Sequence, residues 1–284
     1  LISSAFQMEK HMTIGHDWGG DFALYLNQAE AIVKGELKEL YLSNQFTVEK
    51  SDRLIGPYLY PMGYPLLLSP LIALFGIQFY LLKVYTNLFF YAGLVLLFRL
   101  IKPHFEHIFS PLLIICSLAF SEHFLFHGDQ LLSDFPFFFL VMLSLSLFKH
   151  HASKKQQFML GFIIFFSYLT RELGIMLLPA LFIFQLKNNT LVNLIKTQYL
   201  PYLTFLGLFV SSLFLFPFGS KNHFILLFEN LSWESIQANF SYYVDLLEVY
   251  LRGVSHYEFI PYLLLSLFIA GMIIKLKALA LDCI

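Results

Sequence analysis

The sequence predicts an all-α protein, in which a polytopic transmembrane helical bundle follows a large extracytoplasmic loop. Of the 284 residues, 58% are hydrophobic and only 13% are charged, whereas soluble domains have roughly 25% charged and 45–50% apolar residues. From about Leu66 onward, apolar segments follow one another at short intervals. A formal net charge of −1 argues against a protein that binds nucleic acid electrostatically. We therefore expect the lipid bilayer to surround most of the chain.

Two regions are expected. Residues 1–65 form an extracytoplasmic loop with juxtamembrane helices, and residues 66–284 form the transmembrane domain, which contains an outer loop at about 220–257. The chain starts at Leu1 without Met and ends just after an apolar segment, so we expect a fragment of a longer protein. Cys116 and Cys283 lie far apart and offer neither a disulfide framework nor a zinc motif.

The polar centre of the first region is the stretch GHDWGGDFALY at residues 15–25. Asp21 stands at the N-cap position of an amphipathic helix predicted over residues 22–33, and Gly35 is suited to end that helix. In the simplest interpretation Asp21 is only a cap and Asp17 is a solvated loop acid. A location against a membrane surface favours a functional role for both acids instead.

The block YLYPMGYP at residues 58–65 precedes a short apolar stretch, 66–76, which Pro70 interrupts. That stretch is shorter than the ~20 residues that a helix needs to cross the bilayer core. We expect a juxtamembrane or re-entrant helix whose backbone is covered by protein.

Seven later segments are predicted to cross the membrane. They are 83–98, 108–120, 135–148, 158–169, 173–186, 199–216 and 259–274. Lysine and arginine collect in alternate gaps, of which residues 149–155 are the clearest, and the positive-inside rule assigns these gaps to the cytoplasm. Residues 1–60 and the acidic gaps then lie outside, provided that 66–76 does not cross.

Ionisable residues at membrane depth are costly and usually functional. Arg171 interrupts an apolar run and is expected either to pair with Glu172 or to bind an anion such as a phosphate. Asp134, followed by Phe-Pro, has the pattern of an N-cap. The candidate substrate-binding residues on the outer face are His16, Tyr60, Tyr64, Glu122, His123, Asp129 and Asp134. Glu122 and His123 alone are too weak a signal to predict a metal site.

Four blocks carry a resemblance to a known family. They are GDFALY at 20–25, YPMGYPLLL at 60–68, SDFP at 133–136 and LTRELG at 169–174. In this order they resemble the GT-C superfamily, and most closely its family-39-like, protein-mannosyltransferase-type glycosyltransferases. The resemblance spans residues 15 to about 180. Phe22 replaces the acid that usually follows the family's aspartate, and Met62 replaces the second residue of a double proline.

The resemblance implies a bundle of GT-C type and a hexosyltransferase. Such an enzyme moves a sugar from a polyprenyl-phosphate donor to an acceptor hydroxyl on a glycan, lipid or protein, with inversion. The family's essential loop acid aligns onto Asp21, with Asp17 beside it, and Arg171 is the candidate for binding the donor phosphate. The site would face the outside of the plasma membrane, or the lumen of the endoplasmic reticulum in a eukaryote. No cofactor is obligatory, although the paired acids are compatible with a divalent metal.

Two other classes of protein compete with this interpretation. A transporter or flippase for a lipid-linked or small polar substrate would also carry outer-face charges, but in broken helices of two matched halves, and no such symmetry is evident. A non-catalytic scaffold would explain the helices but not the acidic loop with its glycine pair.

The predicted topology can be tested by cysteine labelling. In a background without Cys116 and Cys283, Ser51→Cys should react with a membrane-impermeant maleimide on intact cells, because residues 1–60 are predicted to lie outside. Ser153→Cys, in the lysine-rich gap, is the matched control and should react only after permeabilisation. Labelling of position 51 only after permeabilisation would contradict the topology.

Overall fold

The computed structural model is all-helical over the residues that it describes, which are 1–15, 21–51, 57–149, 152–187, 190–216, 232–252, 266 and 270–271. This confirms the predicted all-α class for that part of the chain. The α-helices are α1 (Ile2–His11), α2 (Asp21–Lys34), α3 (Leu37–Lys50), α4 (Gly63–Phe75), α5 (Phe79–Ile101), α6 (Phe109–Ala119), α7 (Glu122–His127), α8 (Asp134–Ser146), α9 (Lys154–Thr170), α10 (Leu177–Leu186), α11 (Leu191–Thr197), α12 (Leu200–Leu215) and α13 (Trp233–Arg252). Short 3₁₀ helices cover Lys102–His104 and Glu172–Met176.

The predicted helix over 22–33 is confirmed as α2, and its end is built as expected. Gly35 has φ of 75°, the left-handed conformation that glycine adopts without strain. Its N–H donates to the carbonyl of Ile32 at 3.3 Å, and the N–H of Glu36 donates to the carbonyl of Ala31 at 2.8 Å. This is the Schellman arrangement. At the other end, Asp21 is the first residue of the helix rather than a cap that precedes it.

The short apolar stretch after the YLYPMGYP block forms α4, and Pro70 does not break it. A proline in a helix leaves the carbonyl four residues earlier without its N–H donor. That carbonyl belongs to Leu66, and the Ser69 hydroxyl donates to it at 3.2 Å. The side chain therefore replaces the missing donor, and the helix continues to Phe75.

Five of the helices pack side by side in the order α6, α5, α8, α9 and α12. Helix α5 packs against α6 and α8, α8 packs against α9, and α9 packs against α12. The α5–α8 contact centres on Phe90 and Phe135, whose rings stack with centroids 4.5 Å apart. Helix α4 packs between α2 and α9, so it joins the first region to the bundle. The expected domain boundary between residues 65 and 66 consequently falls inside α4.

Helices occupy six of the seven predicted spans, with the fifth made of a 3₁₀ turn and α10. Of the seventh span, 259–274, only residues 266 and 270–271 are described, and of the outer loop at 220–257 the structure describes 232–252, most of which form α13. Within the described part, one helix, Phe79–His104, is long and apolar enough to cross a membrane, with 26 residues and a mean hydropathy of 1.7. The apolar helices at Gly63–Phe75, Phe109–Ala119, Asp134–Ser146, Glu172–Leu186 and Leu200–Leu215 are shorter than 18 residues.

The contact between α4 and α9 leaves no room for a side chain at Gly63. A Cβ atom there would lie 2.7 Å from the carbonyl carbon of Leu169 and closer still to the amide nitrogen of Thr170. Gly63→Ala should therefore lower the free energy of unfolding by about 1–3 kcal/mol, the usual cost of overpacking. Thermal unfolding of the purified protein would measure this.

Gly207→Ala is the matched control, because Gly207 lies inside α12 with nothing within 4 Å of its added Cβ. Alanine is favoured over glycine in a helix by roughly 0.5–1 kcal/mol, so this variant should not lose stability. Equal unfolding midpoints for the two variants would contradict the close packing at Gly63.

Candidate active site

Helix α2 presents three polar side chains on one face. Asp21, Tyr25 and Gln28 are spaced i, i+4 and i+7, which places them one above the other along a helix. Asp21 is exposed at the start of the helix, whereas Tyr25 and Gln28 are buried. The face therefore changes from an accessible carboxylate at one end to a packed interior at the other.

All three side chains meet the YLYPMGYP block. The Gln28 amide brackets the backbone of Tyr60, because the N–H of Tyr60 donates to Gln28 Oε1 at 2.8 Å and Gln28 Nε2 donates to the Tyr60 carbonyl at 3.0 Å. The Tyr60 hydroxyl then donates to Oδ1 of Asp21. Helix α2 therefore holds both the backbone and the hydroxyl of Tyr60. The Tyr60 hydroxyl in turn holds the Asp21 carboxylate in a defined orientation.

Tyr25 lies between the acid and the rest of the bundle. Its ring centroid is 4.9 Å from that of Tyr60 and 5.2 Å from that of Tyr64, the latter in an edge-to-face arrangement. Its hydroxyl is 3.0 Å from Oγ of Ser133, the residue before α8. Tyr64, fully buried, is hydrogen-bonded to Thr86 at 2.8 Å. Three tyrosines therefore connect α2 and α4 to α5 and α8.

Burial raises the pKa of Tyr25 to about 12, and this rise is moderated by the hydrogen bond to Ser133 and by the positive charge of Arg171. The negative charges of Asp21 and Asp134 raise the pKa further. The phenol is consequently protonated at neutral pH. Tyr25 thus lies within electrostatic reach of Asp21, Asp134 and Arg171.

Arg171 pairs with Asp134, from a different helix. Arg171 follows α9 directly, and its Nη1 donates to Oδ1 of Asp134, the first residue of α8. Glu172, one of the two binding partners expected for Arg171, begins a 3₁₀ turn and is buried. The N-cap of α8 is Ser133 rather than Asp134. Since 39% of the Arg171 side chain and 42% of the Asp134 side chain are exposed, the ion pair is accessible to a ligand.

Two histidines lie on the Asp134 side of this cluster. The rings of His123 and His127, one turn apart on α7, have centroids 4.1 Å apart. Burial lowers the pKa of both imidazoles, and the charge of Asp134 partly offsets this effect. Glu122 is exposed in the first turn of the same helix.

The structure thus brings together Asp21, Tyr60, Tyr64, Asp134 and Arg171 of the predicted site residues, and it places His123 nearby. Asp129 instead binds a buried lysine, Lys83. His16 and Asp17 lie outside the described residues. Within the described part of the chain, no three His, Cys, Asp or Glu side chains are grouped so that they could hold a metal ion.

The sequence interpretation missed Tyr25, Gln28 and Lys83. A signal existed for the first two, because they share the helical face of Asp21 at the spacings given above. For Lys83 the only signal was a lysine near the start of an apolar segment, which resembles an ordinary membrane-flanking residue.

No protein-family model, curated protein or solved structure matches this chain.

Proposed function

We propose that this protein is a membrane glycosyltransferase, a hexosyltransferase that moves a sugar from a polyprenyl-phosphate donor to an acceptor hydroxyl with inversion. The observation that carries the proposal is the chain of contacts through Tyr25. On one side Tyr25 packs against Tyr60, which donates to Asp21, and on the other its hydroxyl is 3.0 Å from Oγ of Ser133, the residue before the Asp134 that pairs with Arg171. These three charged residues come from separate sequence blocks, and together they supply an accessible base and an accessible guanidinium.

Exposed apolar side chains support the proposed polytopic arrangement in the bilayer. Phe109 and Leu113 on α6 are 80% and 70% exposed, and Phe214 on α12 is 80% exposed. Apolar patches of this kind are rare on soluble monomers and mark membrane or protein contact. The long helix Phe79–His104 is consistent with the same environment. We propose the plasma membrane as the location, or the endoplasmic reticulum in a eukaryote, with the Asp21 end outside.

In the proposed reaction Asp21 is the general base. As the acceptor oxygen attacks the anomeric carbon, its proton moves to the Asp21 carboxylate, the new glycosidic bond forms, and the bond from that carbon to the lipid phosphate breaks with inversion. A carboxylate has about four lone-pair sites, and the Tyr60 hydroxyl takes one at Oδ1. The exposed remainder is then available to the acceptor.

Arg171 is the proposed binding group for the leaving phosphate. Negative charge develops on that phosphate in the transition state, and a fixed cation stabilises it. A guanidinium has five N–H donors, and the bond to Asp134 uses Nη1. Asp134 would therefore orient the guanidinium, while other donors of the same fork bind phosphate oxygens.

Further contacts to the substrates are proposed from the remaining candidates. Tyr64 packs edge-to-face against Tyr25. His123, Glu122 and His16 are candidates for polar contacts to sugar hydroxyls. A hydroxyl of a glycan, a lipid or a protein can serve as the acceptor, because each satisfies the same chemical step. We propose no obligatory metal, and a divalent ion beside the acids is compatible with the chemistry.

Asp21→Asn should abolish transfer while leaving the protein folded. Asparagine has nearly the same shape but cannot accept the proton, and loss of a general base lowers the rate by about 100- to 10,000-fold. The measurement is transfer from a radiolabelled polyprenyl-phosphate sugar in proteoliposomes, with the unfolding midpoint as a check on folding.

Glu30→Gln is the matched control for Asp21→Asn. Glu30 lies on the same helix and forms an ion pair with Lys34 at 2.7 Å on the surface, so its loss should leave the turnover unchanged. Normal turnover of Asp21→Asn would remove Asp21 from the mechanism.

Arg171→Ala should raise the KM for the lipid donor and lower kcat, because it removes binding in the ground state and charge stabilisation in the transition state. Arg171→Lys should restore activity only in part, since an ammonium lacks the planar fork. Arg99→Ala, an exposed arginine near the far end of α5, should behave like the parent. Unchanged donor kinetics in Arg171→Ala would contradict the proposed phosphate site.

A further inference from the structure

A second ion pair lies deeper in the protein. Lys83 is in the second turn of α5, and its side chain is completely buried. Its ammonium donates to Oδ1 of Asp129 at 2.7 Å, and Asp129 is 22% exposed. A buried charge is costly and is tolerated where good partners surround it. At the end of an apolar helix such a residue calls for an explanation.

The other partners of Lys83 belong to one short segment before α2. The ammonium donates to the carbonyls of Thr13 and Gly15 at 2.9 and 2.8 Å. It also lies 3.1 Å from the Thr13 hydroxyl. An ammonium has three donors, and these four acceptors use all of them. The lysine is therefore fully occupied by the protein itself and has no donor left for a substrate.

Asp129 holds the same segment from the other side. The backbone N–H of Thr13 donates to its Oδ1 at 2.6 Å, and the Thr13 hydroxyl donates to its Oδ2 at 2.9 Å. The neighbouring Asn87 donates to the carbonyl of Gly128 at 3.0 Å, which links α5 to the chain just before Asp129. Two charged side chains from distant parts of the sequence thus bind one exposed residue, Thr13.

The segment that they bind leads directly to the candidate base. Gly15 and Asp21 are six positions apart, and six residues span at most about 20 Å. The Tyr60 hydroxyl binds the Asp21 side chain, and Gln28, on the same helix as Asp21, binds the backbone of Tyr60. The anchored segment is therefore separated from Asp21 by only a short stretch of chain, on the side of Asp21 that the Tyr60 block does not hold.

We infer that Lys83 and Asp129 are positioning residues, which anchor Thr13–Gly15 so that the chain enters α2 with Asp21 correctly oriented. Neither residue contacts the reacting groups in this inference. It rests on the proposed function for the role of Asp21, whereas the anchoring itself does not.

The test removes both charges together. Lys83→Met/Asp129→Asn leaves no lone buried charge, and neutral replacement of a buried ion pair often leaves stability unchanged. We expect an unfolding midpoint close to that of the parent, hydrogen exchange of the Thr13 amide at least about tenfold faster, and a kcat about 10- to 100-fold lower. The donor KM should stay nearly constant, because Arg171 is untouched.

The matched control is Glu30→Gln/Lys34→Met, which removes an exposed pair with the same 2.7 Å separation. It should change neither the exchange of Thr13 nor kcat. Thr13→Val serves as a second variant in case the double replacement does not fold. Thr13 is exposed, so valine there removes the hydroxyl contacts to both charges without disturbing the core, and it should lower kcat in the same direction.

Two results would overturn the inference. One is unchanged exchange of the Thr13 amide in the double variant, which would show that the pair does not anchor the segment. The other is faster exchange with unchanged kcat, which would show that the anchor does not serve Asp21. A parent protein without any transfer activity would contradict the proposed glycosyltransferase, while the exchange comparison would still decide whether the anchor exists.

Discussion

The contact of α4 with α9 at Gly63 is the constraint on which the candidate site depends. Gly63 comes three residues after Tyr60, and the atoms that it approaches belong to Leu169 and Thr170, directly before Arg171. Because glycine has no Cβ, the two backbones come close enough to bring the Tyr60–Asp21 pair to the same end of the bundle as the Arg171–Asp134 pair. Tyr25 then fills the space between them and is hydrogen-bonded to Ser133 at 3.0 Å. A larger side chain at position 63 would separate the base from the guanidinium.

The Arg171–Asp134 and Lys83–Asp129 ion pairs differ in how far their side chains are exposed. What each pair can do follows from that difference. The Arg171–Asp134 pair is about two-fifths exposed on each side, so an incoming anion can share the guanidinium. The Lys83–Asp129 pair has a fully buried lysine whose acceptors all belong to the protein. Removing one charge from such a buried pair leaves the other uncompensated, whereas an exposed pair is worth little to stability. The first pair is therefore suited to bind a ligand and the second to hold the backbone.

Several helices expose large apolar side chains, and small polar side chains lie among the apolar residues that are buried between the helices. Ser144 and Ser167 are fully buried, and their hydroxyls donate to carbonyls one turn earlier, at 2.8 and 2.9 Å. Small residues of this kind allow helices to approach closely where burial of apolar surface does not drive association. The same pattern is expected of the proposed membrane bundle.

Much of the local structure was determined by the sequence alone. Gly35 predicted where α2 ends and the apolar stretch 66–76 predicted where α4 ends, because helix geometry relates only residues within a few positions of each other. The same rule would have grouped Tyr25 and Gln28 with Asp21. It could not identify the partners of the charged residues. Arg171 was expected to pair with Glu172 or to bind an anion. In the structure it binds Asp134, 37 positions away, and Lys83 binds Asp129, 46 positions away. Those pairings depend on which helices pack together and on how far each helix is shifted along its neighbour. Both are properties of the tertiary structure.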